Sequence, residues 1–138
     1  MIPNTDAAYI AGLFDGEGSI TYKQYMRKRT KKEKAYPTWT IQLEVSMTEE
    51  DIIKWIHETL AVGSFAKKPP GKGQMGKKMQ YRWRCSHRDA FNVCRLFWPH
   101  SKVKLQKIEQ IIDHYTPEYN VDGKVVSMQQ YKEAMNLE

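Results

Sequence analysis

The sequence predicts an α+β fold: one four-stranded antiparallel sheet with helices covering one of its faces. Three observations predict it. Thr38, Thr40, Gln42 and Glu44 alternate with Trp39, Ile41, Leu43 and Val45, a clear period of two. Two pairs of strand-like segments are each joined by a basic, turn-rich connection, which reads as two hairpins. Segments of helical period stand before, between and after those hairpins, so the helices gather on one side of a single sheet.

The elements follow in order. Thr5 or Asp6 is a cap for a first helix through about Asp15. Ser19, Thr21 and Lys23 then alternate with Ile20, Tyr22 and Gln24, and Glu17 shares the parity of the polar set. The second strand covers the Thr38–Val45 alternation. Thr48, with Glu49, Glu50 and Asp51 behind it, opens a helix that buries Ile52, Ile53, Ile56 and Leu60, and Gly63 ends the unit. A third strand runs from Ser64 to Lys68, and Pro69-Pro70-Gly71-Lys72-Gly73 is a loop. The fourth strand, about Met79–Ser86, sets Arg82 and Arg84 opposite Tyr81, Trp83 and Cys85. A helix over about Arg88–Phe97 buries Phe91, Cys94 and Phe97 until Pro99 stops it. The next, about Ser101–Tyr115, turns Ile108, Ile111, Ile112 and Tyr115 inward. Residues 1–115 thus form the domain, and 116–138 form an extension with a turn at Asp122-Gly123 and a short helix over Ser127–Asn136.

Length and composition narrow the class. A chain of 138 residues with 41% apolar content makes one domain with a sizeable core. No apolar run is long enough to span a bilayer. Asp6 stands where a signal peptide carries basic residues, and two cysteines make no disulfide framework, so an intracellular protein is expected. Cys85, His87, Cys94 and His100 match no common zinc spacing, and both cysteines fit core positions.

The net charge of +6 is unevenly distributed. Segment 23–34 carries Lys23, Arg27, Lys28, Arg29, Lys31, Lys32 and Lys34 against the single acid Glu33. Segment 64–88 carries Lys67, Lys68, Lys72, Lys77, Lys78, Arg82, Arg84 and Arg88 with no acid. The rest of the chain is net acidic, so the domain presents one strongly positive surface, and nucleic acid is the expected partner.

One segment breaks local rules. Its apolar helix stops at an acid, Glu17, between Gly16 and Gly18, where a carboxylate opposes the helix dipole. Ala8, Gly12 and Gly16 form a stripe of small residues that suits close packing on another copy of the helix, or ordinary packing on its own sheet. The stretch Ile10-Ala11-Gly12-Leu13-Phe14-Asp15-Gly16-Glu17-Gly18 resembles the signature of the LAGLIDADG homing endonucleases. It aligns without a gap, is identical at Ala11, Gly12, Leu13, Asp15 and Gly18, and has Glu17 in place of the second Asp. The element order αββαββαα over about residues 5–115 is also that of the single-motif members.

The resemblance implies a homodimeric, metal-dependent DNA endonuclease of intron or intein homing. Such an enzyme cuts a long, nearly palindromic duplex across the minor groove and leaves 3′ overhangs. It implies that motif helices pack across the two-fold axis, with Ala8, Ala11, Gly12 and Asp15 at the interface. Glu17 from each subunit would meet at the scissile phosphates as ligand to Mg2+ or Mn2+, with the Gly16 carbonyl as a second contact. Asp15, the competing acid, is expected to bond backbone groups near the junction. Lys104 falls where the family carries an active-site lysine, with Lys102 and Lys107 as neighbours. Where relatives often carry a polar residue after the second strand, this chain has Ser46 or Met47.

The polar face of the sheet is the expected DNA reader, since two antiparallel hairpins fit the major groove. Parity selects Thr21, Lys23, Thr38, Thr40, Gln42, Glu44, Arg82 and Arg84. Arginine suits guanine, glutamine suits adenine, and Glu44 is a candidate acceptor for a cytosine amino group. Lys67, Lys68 and the loop cations Arg27, Lys28, Arg29, Lys31, Lys32, Lys72, Lys77 and Lys78 are expected on phosphates. Trp39 and Trp83, at the opposite parity, are expected in the core. The rival functions are an RNA maturase, a catalytically silent DNA-binding regulator on the same scaffold, and a general basic RNA-binding protein.

Overall fold

A computed structural model describes residues 2–71, 73, 78–115, 119–121, 124–126, 130, 133 and 134. Its elements are α1 (Asn4–Glu17), β1 (Gly18–Arg27), β2 (Tyr36–Met47), α2 (Glu50–Leu60), β3 (Ser64–Lys68), β4 (Gln80–Ser86) and α3 (His87–Phe97). A 3₁₀ turn (Trp98–His100), α4 (Leu105–Tyr115), β5 (Tyr119–Val121) and β6 (Lys124–Val126) follow. The fold is α+β, with the expected αββαββαα order. The first four strands form one antiparallel sheet in the order β1-β2-β4-β3. β5 and β6 pair only with each other, Val121 opposite Lys124, around the predicted turn, whose residues Asp122 and Gly123 lie outside the described set. The helix expected over Ser127–Asn136 also falls outside that set, apart from Gln130, Glu133 and Ala134, which are helical.

The period-two pattern divides the sheet into two faces. Ile41, Leu43, Val45, Trp83 and Cys85 are buried beneath the helices. Gln42, Glu44, Arg82 and Arg84 occupy the other face, where Glu44 pairs with Arg84 and Ser46 with Arg82. On the covered side Ile10 and Phe14 of α1, Ile53 and Ile56 of α2, Phe97 of α3 and Ile108 and Ile111 of α4 are fully buried. Each contributes about 1.5–3 kcal/mol by leaving water. Phe14 and Phe97 meet at 5.3 Å between ring centroids. Trp39 stacks on Tyr22 at 4.8 Å, so both tryptophans of the central strands take the core side.

Several boundaries differ from expectation. α1 begins before its predicted caps: extended Pro3 precedes it, and the Pro3 carbonyl accepts the Ala7 N–H at 3.0 Å. α1 also runs two residues longer and takes in Glu17, so this acid is the last helical residue and not part of the strand alternation. Thr48 does not cap α2, which starts at Glu50 after an extended Glu49 with no side-chain cap. The end of α2 is made by Ala61 in the left-handed region, while Gly63 (φ +83°) serves the turn into β3. A Cβ at Gly63 would collide with the Arg84 carbonyl and the Trp83 indole. The close approach leaves the Trp83 indole N–H free to donate to the Val62 carbonyl at 3.0 Å. α4 starts four residues later than the apolar period suggested, because its approach is held from elsewhere, as described next. Among the described residues, no helix is long and apolar enough to cross a membrane.

Candidate nucleic-acid interface and cleavage centre

α1 passes directly into β1 because Gly18 lets it. The backbone there is extended (φ −81°, ψ 168°), and any Cβ would run into the Phe14 ring. The turn leaves Glu17 exposed at the helix C-terminus, with the last carbonyls of α1, including that of Gly16, lacking partners within the helix. Asp15 points the other way. It is 9% exposed, and its carboxylate accepts the backbone N–H groups of Lys102, Val103 and Lys104 at 3.0, 2.8 and 2.9 Å. Asp15, from the far end of the chain, thus holds residues 102–104 as the turn leading into α4, where the Ile108 N–H bonds the Lys104 carbonyl at 3.0 Å. Burial alone would raise the Asp15 pKa; the three N–H donors and the Lys104 charge outweigh it and hold the carboxyl below the usual range.

The same clamp places a cation. The Lys104 ammonium donates to the Asp15 carbonyl at 2.7 Å and lies 6.0 Å from the centre of the Phe14 ring. A lysine at a helix C-terminus bonds orphan carbonyls and complements the dipole. Of the three lysines in this stretch, Lys104 is the one whose ammonium bonds the motif helix, while the side chains of Lys102 and Lys107 are exposed. Glu17, the Gly16 carbonyl and Lys104 thus share one helix end.

The outer side of α1 differs from the expected interface. Ala11 is 0% exposed within the core and Asp15 is committed to residues 102–104, so neither side chain is available to another copy. Ala8 is partly exposed, and Tyr9, Gly12 and Gly16 are exposed. A Cβ added at Gly12 or Gly16 would meet nothing within 4 Å, so packing within the protomer does not account for either glycine.

On the open face of the sheet, Thr21 stands opposite Gln42, Lys23 opposite Thr40, and Thr38 opposite Tyr25. Arg82 and Arg84 join them through β4. Lys68 shares this face, pairing with Gln80, and lies 3.9 Å from Glu44. Lys67 does not: it alternates with Lys68 and shares the parity of Phe65, on the helix side at the edge of the sheet. Arg27, Lys28, Arg29, Lys31 and Lys32 are exposed at the β1–β2 connection and Lys78 is exposed before β4. Lys72 and Lys77 lie outside the described residues. Two further residues on this face were missed by the polar pattern. Tyr25 and Tyr36, 39% and 36% exposed, occupy outer-face positions toward the hairpin tip. Parity with Lys23 and Thr38 was the signal that could have found them.

Glu44 is the acid at the centre of the face. Its Oε1 accepts both Nε and Nη2 of Arg84, at 3.0 and 2.6 Å. Burial opposes its ionised form, but Arg84, then Lys68 and Arg82, hold its carboxyl below the usual range.

A family model described as LAGLIDADG endonuclease matches residues 10–97. The chain belongs to this family. Among solved structures it resembles the homing endonuclease I-CvuI in complex with its target, with 18% identity and a TM-score of 0.58 over 83% of this chain and 72% of that one. It resembles the homing endonuclease I-TnaI with 17% identity and a TM-score of 0.58, over 95% of this chain and 86% of that one. An archaeal intron-encoded homing endonuclease complexed with DNA gives 15% identity and a TM-score of 0.60, over 80% and 66%. These likenesses establish the LAGLIDADG fold. No curated protein matches the chain in sequence.

In this LAGLIDADG chain, Met47 ends β2 opposite Tyr81 and packs against the core, so it offers no polar atom to a reaction centre. The Ser46 hydroxyl is turned to Glu44 at 3.4 Å. Cys85 and Cys94 are buried, and burial pushes the Cys85 thiol up to about 12 and Cys94 higher still. Among the described residues no three His, Cys, Asp or Glu side chains gather to hold a metal. One protomer's donor set is a single carboxylate and a carbonyl. That set fits a hard divalent ion only when phosphate oxygens or a second carboxylate complete it.

Proposed function

We propose that this chain is a homodimeric, site-specific DNA endonuclease. It makes a metal-dependent double-strand break in a long, pseudo-palindromic target and leaves 3′ overhangs, as an intron- or intein-borne homing enzyme. Residues 1–115 form its endonuclease domain and 116–138 an extension. The observation that carries this reading is the exposed Glu17 at the end of α1, the helix end whose Asp15 carbonyl takes the Lys104 ammonium, on a helix whose exposed Gly12 and Gly16 have open space where a Cβ would stand. Small residues permit close helix crossing, and a two-fold axis along α1 would bring two copies of Glu17 together. A two-fold protein also asks for a two-fold site.

Glu17 and the Gly16 carbonyl are the groups that would hold Mg2+ or Mn2+. The ion would supply charge stabilisation at the phosphate and a more acidic water. Lys104 adds a fixed positive charge where negative charge develops. The open sheet face reads bases in the major groove, while the loop cations grip phosphates.

The test is selection of cleaved duplexes from a random palindromic library with Mg2+, comparing wild type with Glu17→Gln. The expected outcome is one enriched site, cut by wild type and bound but uncut by the variant. Nicking by the variant at the wild-type rate would remove Glu17 from the metal role.

Met47 supports a second reading, a maturase or DNA-binding regulator on the same scaffold, because an apolar side chain at the end of β2 orders no water. Specific binding by both proteins with cutting by neither would favour it, as would rescue of intron splicing.

A further inference from the structure

The Glu44 carboxylate lies among three cations, on the face proposed above to read DNA, and its side chain is only 16% exposed. On Oε1 it takes Arg84 Nε at 3.0 Å and Nη2 at 2.6 Å, with Arg82 Nε at 3.9 Å. On Oε2 it has Ser46 Oγ at 3.4 Å and Lys68 Nζ at 3.9 Å. Oε1 is thus held by Arg84, and Oε2 faces Ser46 and Lys68. A cytosine amino group would compete with this network, which the sequence pattern alone did not reveal.

Arg84 is in the opposite position. Its side chain is 36% exposed. A guanidinium has five N–H donors in a rigid fork. Glu44 binds the lateral edge, Nε and one hydrogen of Nη2. The end edge, with one parallel hydrogen each on Nη1 and Nη2, has no partner among the described residues, and its geometry matches guanine O6 and N7. A free arginine has many rotamers to lose on binding, and a tethered one has fewer.

We propose that Glu44 is a positioning residue: it fixes Arg84 so that the guanidinium end edge reads a guanine in each half-site, and it does not itself accept from a cytosine. The proposal rests on the DNA-reading function above. It makes a carboxylate on a DNA-binding face a source of specificity that lowers total affinity.

The test uses full-length protein without divalent metal, and labelled duplexes built on the site recovered from the random library, each varied at one base pair. Wild type, Glu44→Gln, Arg84→Lys and the double variant are compared by equilibrium binding. Arg84→Lys should erase a guanine preference of about ten- to a hundredfold at one base pair per half-site. Glu44→Gln should shrink that same preference at least about threefold, leave the other base pairs as they were, and tighten binding to non-cognate duplex by removing a negative charge. In the Arg84→Lys background it should change no base preference, because the interaction it serves is gone. A merely structural Glu44 would instead lower all preferences together. Such a uniform loss, or a retained guanine preference, would overturn the proposal. So would loss of a cytosine preference that Arg84→Lys keeps, since that would make Glu44 a direct reader. A wild type with no preferred site would remove the DNA-reading function itself, and the inference with it.

Discussion

A carboxylate that accepts three backbone N–H groups has little freedom to do anything else. Asp15 is such a group, and its neighbour two residues on, Glu17, is exposed and has no such partner among the described residues. The motif's two acids therefore differ in their hydrogen bonds: Asp15 is committed to residues 102–104, and Glu17 is the proposed metal ligand. Replacing Asp15 with Asn would set an amide against N–H donors and leave part of the cap unmade. We expect a loss of about 2 kcal/mol in urea unfolding at neutral pH. Because the folded carboxyl titrates below its ordinary value, its stabilisation is present above about pH 4 and is lost as pH falls through the folded value. The variant should lack that part of the acid dependence, which unfolding curves at falling pH would register. Asp15 bonding to backbone groups was legible in the motif. Its partners, 87 to 89 residues away, were not, because no local periodicity records a contact across the whole chain. The same limit hid the grip of Glu44 on Arg84, which is a cross-strand neighbour only once β2 and β4 pair.

Elements with a strong internal period were readable from sequence, and those shaped by a partner were not. β2 shows its two faces residue by residue, and α3 buries Phe91, Cys94 and Phe97 at helical spacing. α4 shows its apolar face but conceals its start, since a cap delivered by a distant side chain leaves no mark nearby. Lys67 was ambiguous because β3 is five residues long and at the edge, too short for alternation to declare a face. α1 poses the reverse case: glycine in mid-helix costs about 1 kcal/mol relative to alanine. With nothing near a Cβ at Gly12, Gly12→Ala should raise the stability of the protomer by about that amount in thermal or urea unfolding. Gly12→Leu should keep the protomer folded and block close helix approach. Sedimentation should then show wild type as a dimer and this variant as the 16.2 kDa protomer. A wild type that sediments as a protomer on its DNA would refute the two-fold arrangement.

At the scale of the whole molecule, among the described residues α1 and α2 are net acidic, while the open face of the sheet and the β1–β2 connection are rich in cations. Binding to duplex should weaken steeply with salt, by about a thousandfold or more between 50 and 200 mM if six or more phosphates are contacted. Substituting an exposed loop cation such as Lys28 or Arg29 should reduce the log–log salt slope by about one and leave base preferences unchanged. A titration of affinity against salt for each variant measures both. This polarity was visible in the distribution of lysine and arginine along the chain, because hairpin tips and sheet faces follow directly from strand spacing.

The Asp15 clamp also has a consequence for how the protein comes into being. Glu17 leaves the ribosome early, but the turn that fixes the end of its helix, and Lys104 with it, is made almost ninety residues later. A growing or truncated chain that stops before that turn has the acid without the lysine and without its cap. The proposed cutting centre would therefore be complete only when Lys104 has been synthesised and docked on the end of α1, and shorter fragments would lack that cation.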